Sequence, residues 1–275
     1  MRWRIVLIMM VFIALTIVTQ IGGVVLLFSL LLYPFINKKF YQRWKRFLFK
    51  SGAFIILYLI STFIIVPIVA KSFGRVPLPV METNGIQPLN VGTCLLNRHY
   101  VRPAMKSAVI NTIKTVQQQF PEAKLNYLDA NFPFIDRFPL FPHLSHNDGK
   151  KLDLAFFYRD KLTGNPTGRH PSFIGYGICE EPQHDEEDAA AGCEAKGYWQ
   201  YSLLKKIVPQ SQKKNFVLDT ERTKFLVEQL VRQESVGKVF IEPHLKKRMH
   251  LASNKIRFHG CQAVRHDDHI HVQLK

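Results

Sequence analysis

Two long stretches of this sequence contain no charged residue, and its first 75 residues contain no acid. The uncharged stretches run from Ile5 to Ile36 and from Ser51 to Ala70, and the first acid is Glu82. The chain also lacks any C-x-x-C pair, which counts against a zinc site built from cysteines. Its hydrophobic content of 47% excludes both whole-chain disorder and a many-span transporter.

The uncharged stretches predict a membrane anchor over residues 1–75. A bilayer-spanning helix needs about 20 apolar residues, so we expect two transmembrane helices, about 5–32 and 51–70. The first is longer than the apolar part of a cleaved signal peptide, which has about 7–15 residues. Six Lys and Arg lie between the two, within 38–50, and this bias predicts a cytoplasmic loop. We therefore expect a multi-pass protein of the inner (cytoplasmic) membrane, with residues 76–275 on the periplasmic or outer face.

A net charge of +16, taken alone, is typical of a nucleic-acid-binding protein. Ten of the 37 Lys and Arg lie in residues 1–75, however, which leaves 27 against 21 acids, or +6, for residues 76–275. Because those ten charges flank the predicted spans and no binding motif is present, nucleic acid is not an expected partner. The remaining +6 would help to hold the domain near an anionic wall or membrane surface.

The rest of the chain is interpreted as a proline-rich linker over 76–90 and one α+β domain over 91–275, with a small antiparallel sheet and flanking helices. Apolar periodicity predicts the elements; helices are expected at 102–120, 220–233 and 243–249, and strands at 124–128, 151–158, 238–241 and 269–274. Residues 160–198 are interpreted as an insertion, and its acidic part, Glu180–Glu194, as a solvated loop.

All four cysteines lie in the predicted domain, at Cys94, Cys179, Cys193 and Cys261. An even number in an exported domain is compatible with two disulfides. Three pairings are then open, and four unpaired thiols are the alternative.

The eleven histidines of the chain are distributed unevenly, and two clusters contain the candidate chemistry. In the predicted strand 269–274, His269 and His271 share one face while Ile270, Val272 and Leu274 share the other. The apolar face can pack in the core, so both imidazoles face a common site. Upstream, Gly149 permits a tight turn between His146 and Asp153, which can then converge. Two imidazoles and a carboxylate suit Zn²⁺, and three protein ligands leave a position open for a catalytic water.

These residues also form two motifs. Ser145, His146, Gly149 and Asp153 give S-H-x-x-G-x-x-x-D, and His266, His269 and His271 give H-x-x-H-x-H. In both, the chain resembles the penicillin-insensitive murein endopeptidases, which belong to the lysostaphin, D-Ala-D-Ala peptidase and sonic hedgehog fold group. The resemblance covers most of 95–275, but only these two motifs are specific.

The resemblance implies a zinc site of His146, Asp153 and His271. It implies catalytic roles for His269 and His266, and substrate-binding positions at His143 and Arg98. The chain departs from those soluble exported enzymes in its two predicted spans and its acidic insertion.

The expected function is a membrane-anchored zinc metallopeptidase that hydrolyses bonds involving D-amino acids in the peptides of peptidoglycan. One alternative is a D,D-carboxypeptidase or dipeptidase of the same fold, in which Arg98 would recognise a free substrate C-terminus. The other is a non-catalytic, zinc-containing module that binds the cell wall. The bond cleaved and the oligomeric state stay open.

Overall fold

The N-terminal region is a compact group of apolar helices. The computed structural model describes the backbone of residues 2–275 and the side chains from Trp3 onward, so the side chain of Arg2 lies outside the described part. The helices are α1 (Arg2–Thr19), α2 (Gly22–Leu30), α3 (Tyr33–Lys39), α4 (Arg43–Ile60) and α5 (Val66–Ala70). A π-helical turn, Ser61–Ile65, joins α4 to α5, and a 3-10 turn, Lys71–Phe73, follows α5.

The prediction of one continuous helix over 5–32 is wrong. The chain breaks at Gln20, whose φ is +66°, and α2 packs back against the end of α1. A side chain at Gly23 would meet Phe12 and Thr16, the latter at 2.1 Å. The two glycines after the break therefore allow close contact between α1 and α2, which the hydrophobic run alone does not reveal.

Only one helix among residues 2–275 is by itself long and apolar enough to cross a bilayer, Arg43–Phe73. The pair α2 and α3, which bends by 45°, would count as a second crossing if it forms one broken span. The predicted segment 51–70 lies inside Arg43–Phe73. Its π turn immediately precedes Pro67, because proline cannot donate to the carbonyl four residues earlier and its ring needs extra room there.

The remainder of the chain is a mixed α/β domain. Its helices are α6 (Val91–Leu95), α7 (Pro103–Gln119), α8 (Ala189–Ala195), α9 (Leu203–Ile207), α10 (Thr220–Arg232) and α11 (Pro243–Arg248). Its strands are β1 (Val76–Pro77), β2 (Ile86–Pro88), β3 (Tyr100–Val101), β4 (Leu125–Tyr127), β5 (Lys151–Ala155), β6 (Tyr158–Asp160), β7 (Pro166–Thr167), β8 (Phe216–Leu218), β9 (Val236–Phe240), β10 (Ile256–Arg257) and β11 (His269–Leu274). Helices α7 and α10 follow their predicted ranges closely, whereas the strand expected at 151–158 divides into β5 and β6 of different sheets.

The main sheet has six strands in the order β10-β9-β11-β5-β4-β2. Its four central strands are antiparallel, as predicted, but both edge pairs, β10 with β9 and β4 with β2, are parallel. The sheet is therefore mixed, and the expectation of a purely antiparallel sheet is corrected. Two smaller sheets pair β1 with β3, and β6 with β7 and β8.

The core lies on one face of the two central strands. Leu152 and Leu154 of β5, with Ile270 and Val272 of β11, are all fully buried in one apolar cluster. The same cluster includes the apolar faces of α7 and α10. Because side chains alternate along a strand, Asp153 and His271 must lie on the opposite face.

The predicted linker 76–90 is part of the domain. Leu78 and Ile86 are buried in the main core, β1 pairs with β3, and β2 forms an edge of the main sheet. The proline content that suggested a spacer instead corresponds to short edge strands, where a missing N–H costs no ladder bond.

The helical region docks directly on this domain. The Gln20 side-chain oxygen accepts from the Phe134 N–H at 2.8 Å. The Asn97 amide donates to the Tyr58 hydroxyl at 3.2 Å, and that hydroxyl donates to the Leu95 carbonyl at 2.6 Å. These polar contacts surround an apolar cluster that includes Val66 and Tyr100.

Arg75 joins the end of the long helix to the loop Phe132–Asn147, named the metal loop below because it contains His143 and His146. Its fully buried guanidinium donates to the Phe132 carbonyl, pairs with Asp136 and reaches the Asn147 carbonyl at 3.4 Å. One side chain thus holds both ends of the loop.

Replacing Arg75 should therefore destabilise the full-length protein. In Arg75→Met, the buried Phe132 carbonyl loses its donor and Asp136 loses an ion-pair partner. An unpaired buried group costs roughly 1–3 kcal/mol of unfolding free energy. The matched control is Arg169→Met, because Arg169 pairs with Asp160 at the surface; its effect should stay within about 0.5 kcal/mol. Chemical denaturation in detergent, followed by near-UV circular dichroism, gives both values, and equal effects would contradict the bridging role of Arg75.

Candidate metal centre

Strand register brings the first two candidate ligands together. In the antiparallel pair β5 and β11, Asp153 lies directly opposite His271, and Ala155 lies opposite His269. Residues opposite each other on the same face have side chains in contact. The Nδ1 of His271 and the Oδ1 of Asp153 are accordingly 2.8 Å apart.

The metal loop supplies the third candidate ligand. Gly149 lies two residues after its end, and its φ of +77° disfavours any residue with a side chain. The Gly149 N–H donates to the Asn131 side chain at 3.0 Å, and its carbonyl accepts from the Arg102 N–H at 2.8 Å. This turn leads the chain from buried His146 into β5, as the motif spacing predicts.

The three donor atoms have a spacing suited to one metal ion. His146 Nε2 lies 3.3 Å from His271 Nδ1 and 3.3 Å from Asp153 Oδ1. Two ligands bound at about 2.0 Å to a tetrahedral ion are about 3.3 Å apart. His146, Asp153 and His271 are all buried and form a group that could hold a metal.

Neighbouring groups hold these ligands in the required tautomer and orientation. His146 Nδ1 donates to the Ala130 carbonyl at 2.7 Å, which leaves the Nε2 lone pair for a metal. The Tyr176 hydroxyl donates to Asp153 Oδ2 at 2.8 Å, so Oδ1 remains turned toward the histidines. Such partners are part of a metal site because they orient the ligands and raise their basicity.

The electrostatics of the site keep Asp153 ionised and His271 neutral, the protonation states in which they can bind a metal. Burial favours the neutral acid, but His146, His269 and His271 outweigh it and hold the pKa of Asp153 well below its usual value. Burial lowers the pKa of His271 to about 4, against the opposing effect of Asp153. An ionised carboxylate thus faces a neutral imidazole, as metal binding requires.

His269 lies beside this group with a different protonation state. Burial disfavours its charged form, but the carboxylates of Asp153 and Asp268 prevail and raise its pKa to about 9. Asp268 Oδ1 contacts Nδ1, and its Oδ2 accepts from the Gly177 N–H at 2.6 Å. Nε2 lies 3.7 Å from Asp153 Oδ1. His269 is therefore placed to hold a proton next to the candidate metal position.

His266 is buried and lies close to His269, with ring centres 4.9 Å apart. Burial and the neighbouring imidazoles of His269, His271 and His259 lower its pKa well below the usual value. Its Nδ1 has no hydrogen-bond partner within residues 2–275. His266, His269 and His271 form a second overlapping group that could hold a metal.

The two predicted substrate-binding residues differ in their positions. His143 lines the cleft that also contains His146, Asp153 and His271, named the metal cleft below. Its Nδ1 lies 2.9 Å from Asp129 Oδ2. Arg98 lines an adjacent cavity of about 310 Å³ and donates to the same Asp129 oxygen at 2.6 Å. Arg98 is thus connected to the cleft through Asp129 and His143 rather than by lining it.

The cleft has a volume of about 590 Å³. The metal loop and both histidine clusters line it, and Gln200, Leu203 and Leu204, which follow the predicted insertion 160–198, form part of its wall. A disulfide joins Cys193 of α8 to Cys261, beside the lining residue Gln262. The insertion is therefore linked covalently to the segment that borders the cleft, and the residues directly after it form part of the wall.

The acidic segment Glu180–Glu194 is exposed at most of its positions, as expected, but its last part is helix α8 and several of its acids form ion pairs with the domain. Glu181 pairs with Arg265 at 3.1 Å and Glu186 with Arg248 at 2.5 Å. Of the two disulfides considered from sequence, one is present in the described chain, while Cys94 and Cys179 are buried thiols.

Sequence reasoning assigned no role to several residues of the site: Asp129, Tyr176, His259 and Asp268. Asp268 directly precedes His269 in the second histidine cluster, so its place in the sequence could have indicated a role beside His269. His259 stacks on Phe240 with ring centres 4.1 Å apart and lies 5.1 Å from His266. No local pattern marks Asp129 or Tyr176, because both reach the site through tertiary contacts.

Comparison with known proteins adds no relative: no protein-family model matches the chain, and no curated protein matches it in sequence.

The geometry predicts which substitutions remove the metal. In full-length protein, His146→Ala and Asp153→Ala should each lose stoichiometric metal, because each removes one of three donors. His269→Ala and the exposed-residue control His184→Ala should retain it. Elemental analysis after gel filtration measures the ratio. Retention of metal by Asp153→Ala would show that the ligand set is wrong.

Removing the Tyr176 hydroxyl should weaken the site without destroying it. Loss of a group that orients a ligand typically costs about 10–100-fold in metal affinity. Tyr176→Phe deletes the hydrogen bond to Asp153 and the one that the hydroxyl accepts from the Asp129 N–H, and it leaves all three metal donors in place. The control is Tyr198→Phe, since Tyr198 packs beside the Cys193–Cys261 disulfide. Competition with a chromophoric chelator measures both affinities. If Tyr176→Phe bound metal as tightly as the control, the orienting role would be refuted.

Proposed function

We propose that this protein is a membrane-anchored zinc metallopeptidase that hydrolyses peptide bonds involving D-amino acids in peptidoglycan. The observation that carries the proposal is the group His146, Asp153 and His271, whose donor atoms lie 2.8–3.3 Å apart in a cleft that His269 and His266 also line. Two nitrogen donors and one carboxylate oxygen suit Zn²⁺ and leave room for further coordination.

When bound, zinc supplies Lewis acidity, which activates water and polarises a carbonyl. The protein's own residues would manage the protons. In hydrolysis a water oxygen bonds to the carbonyl carbon, the C–N bond breaks, and the departing amine takes up a proton. His269 holds a proton at Nε2 on the cleft side and is oriented by Asp268 through Nδ1. It can thus stabilise the negative oxygen of the transition state or supply that proton.

His266 would have a different role in the same cleft. It is kept neutral by burial and by its charged neighbour, so it can accept a hydrogen bond or a proton from the substrate side. A non-catalytic binding module would have no use for a neutral and a protonated histidine side by side at a metal group. This pairing favours an enzyme over that alternative.

Assignment to peptidoglycan rests on the resemblance of the two motifs to murein endopeptidases. Between the enzyme alternatives, the position of Arg98 favours endopeptidase activity. A carboxypeptidase would use a cation in the cleft to bind the substrate carboxylate, but Arg98 lies in the adjacent cavity and already pairs with Asp129.

Membrane placement belongs to the same proposal. Arg43–Phe73 would be one crossing, and the bent pair α2 and α3 would replace the predicted span 5–32 as the second. The basic segment 38–50 joins these two crossings and would face the cytoplasm. Residues 76–275 would then lie on the outer side, where the peptide substrate is found.

Digestion of purified peptidoglycan by the full-length protein tests the proposal. Wild type should release cross-link cleavage products identified by mass, and a chelator should abolish them. His269→Ala should keep its metal but lose about 10²–10⁴-fold in rate, the usual contribution of acid–base catalysis. His184→Ala is the matched control and should be unaffected. A His269→Ala variant with the wild-type rate would refute the role of His269, and an absence of products would refute the activity.

A further inference from the structure

We propose that the metal loop Phe132–Asn147 rests on the outer lipid surface, and that the metal centre acts on peptides held at that surface. The lipid contact is inferred from the structure of the loop and rests on the proposed membrane crossing of Arg43–Phe73. The substrate preference additionally rests on the proposed peptidase activity.

The end of the long helix sets the level of the membrane surface. The uncharged stretch Ser51–Ala70 has 20 residues, and at 1.5 Å per residue it spans about 30 Å, the thickness of the hydrocarbon core. Phe73 therefore lies at the boundary with the headgroups, a depth favoured by aromatic residues. It is 48% exposed, and its ring centre is 5.1 Å from that of Phe134 in the metal loop.

The metal loop is held at this level by further contacts. Arg75, two residues after Phe73, binds carbonyls at both ends of the loop. The loop is also closed on itself, since the Arg137 N–H donates to the Asn147 carbonyl at 2.7 Å. Gln20, at the break between α1 and α2, accepts from the Phe134 N–H. The loop thus cannot move away from the helices without losing the hydrogen bonds of Arg75 and Gln20.

The side chains that the loop leaves uncovered suit a lipid interface. Ile135, Phe141 and Leu144 are 55%, 60% and 51% exposed. Arg137 is exposed between them, and exposed Lys71 lies at the helix end. Apolar side chains flanked by cations bind the headgroup region of anionic membranes. This apolar face continues directly from the end of the long helix, where Phe73 contacts Phe134. We therefore assign the bilayer as the partner that covers it.

The loop that faces the lipid also borders the metal cleft. Leu144 is an exposed apolar residue of the loop and a lining residue of the cleft, and His146 follows two residues later. The cleft thus opens beside the membrane surface. A peptide anchored in the outer leaflet would enter at high effective concentration, as a tethered ligand does.

Fluorescence quenching tests the lipid contact without any need for activity. Trp3, Trp44 and Trp199 are first replaced by phenylalanine in the full-length chain, which then receives one tryptophan, by Phe141→Trp or by Phe173→Trp as the control. Phe173 is 82% exposed but lies outside the metal loop. In nanodiscs of brominated phospholipid, tryptophan at 141 should lose fluorescence and tryptophan at 173 should not. Equal quenching at both positions would overturn the lipid contact.

A second measurement tests the substrate class. One D-amino-acid peptide is offered to the protein in nanodiscs, either free in solution or attached to an acyl chain in the same disc. The anchored form should be cleaved faster. Ile135→Asp should remove that advantage but leave cleavage of the free peptide unchanged, and the control Leu162→Asp, at a 95% exposed position, should change neither rate.

The outcomes separate the two proposals. If the free peptide is cleaved as fast as the anchored one, the substrate preference is overturned while the peptidase activity stands. If neither form is cleaved, the peptidase proposal fails and the substrate preference fails with it. The quenching result then decides the lipid contact by itself.

Discussion

The pairing of Asp153 with His271 across two central strands is the constraint on which the site depends. Because β5 and β11 are antiparallel neighbours in register, one face of the pair belongs to the apolar core and the other presents a carboxylate against an imidazole. A shift of β11 by one residue would turn His271 into the apolar core and Ile270 toward the cleft, so that Asp153 would lose its partner. The free energy of burying the core therefore also fixes the geometry of the candidate ligands.

Around this pair, the charge of Asp153 organises the remaining groups. Its carboxylate is buried yet ionised because three histidines surround it, and Tyr176 holds its second oxygen. Together with Asp268, the same charge raises the pKa of His269. Asp153 stabilises the charged form of His266 too little to overcome burial, so His266 stays neutral. One carboxylate thus helps to place a protonated and a neutral histidine in the same cleft, which a metallopeptidase can use for the two directions of proton transfer.

Much of the local structure could be predicted from sequence. The amphipathic periods of α7 and α10 and the alternation in β11 determine which face of each element is apolar, so these elements occur near the predicted residues. Gly149 was identified by its place in the motif, and its positive φ explains why glycine stands there. The first apolar run was misread because a hydrophobic pattern records that residues avoid water, not where a helix breaks. The turn at Gln20 brings Gly23 against Phe12 and Thr16, a contact between two helices that the hydrophobic pattern does not record.

The sequence by itself determined the chemistry available to the site: which histidines and carboxylates occur, at which spacing, and on which face of a strand. Only the tertiary structure decided that Asp129 and Tyr176 orient the cleft residues, that Cys193 of the insertion bonds to Cys261 beside the cleft, and that Arg75 ties the helices to the metal loop. These contacts join residues far apart in the chain, and local periodicity carries no information about them. The distances between such groups are set when the core packs, since that step fixes which distant segments lie side by side.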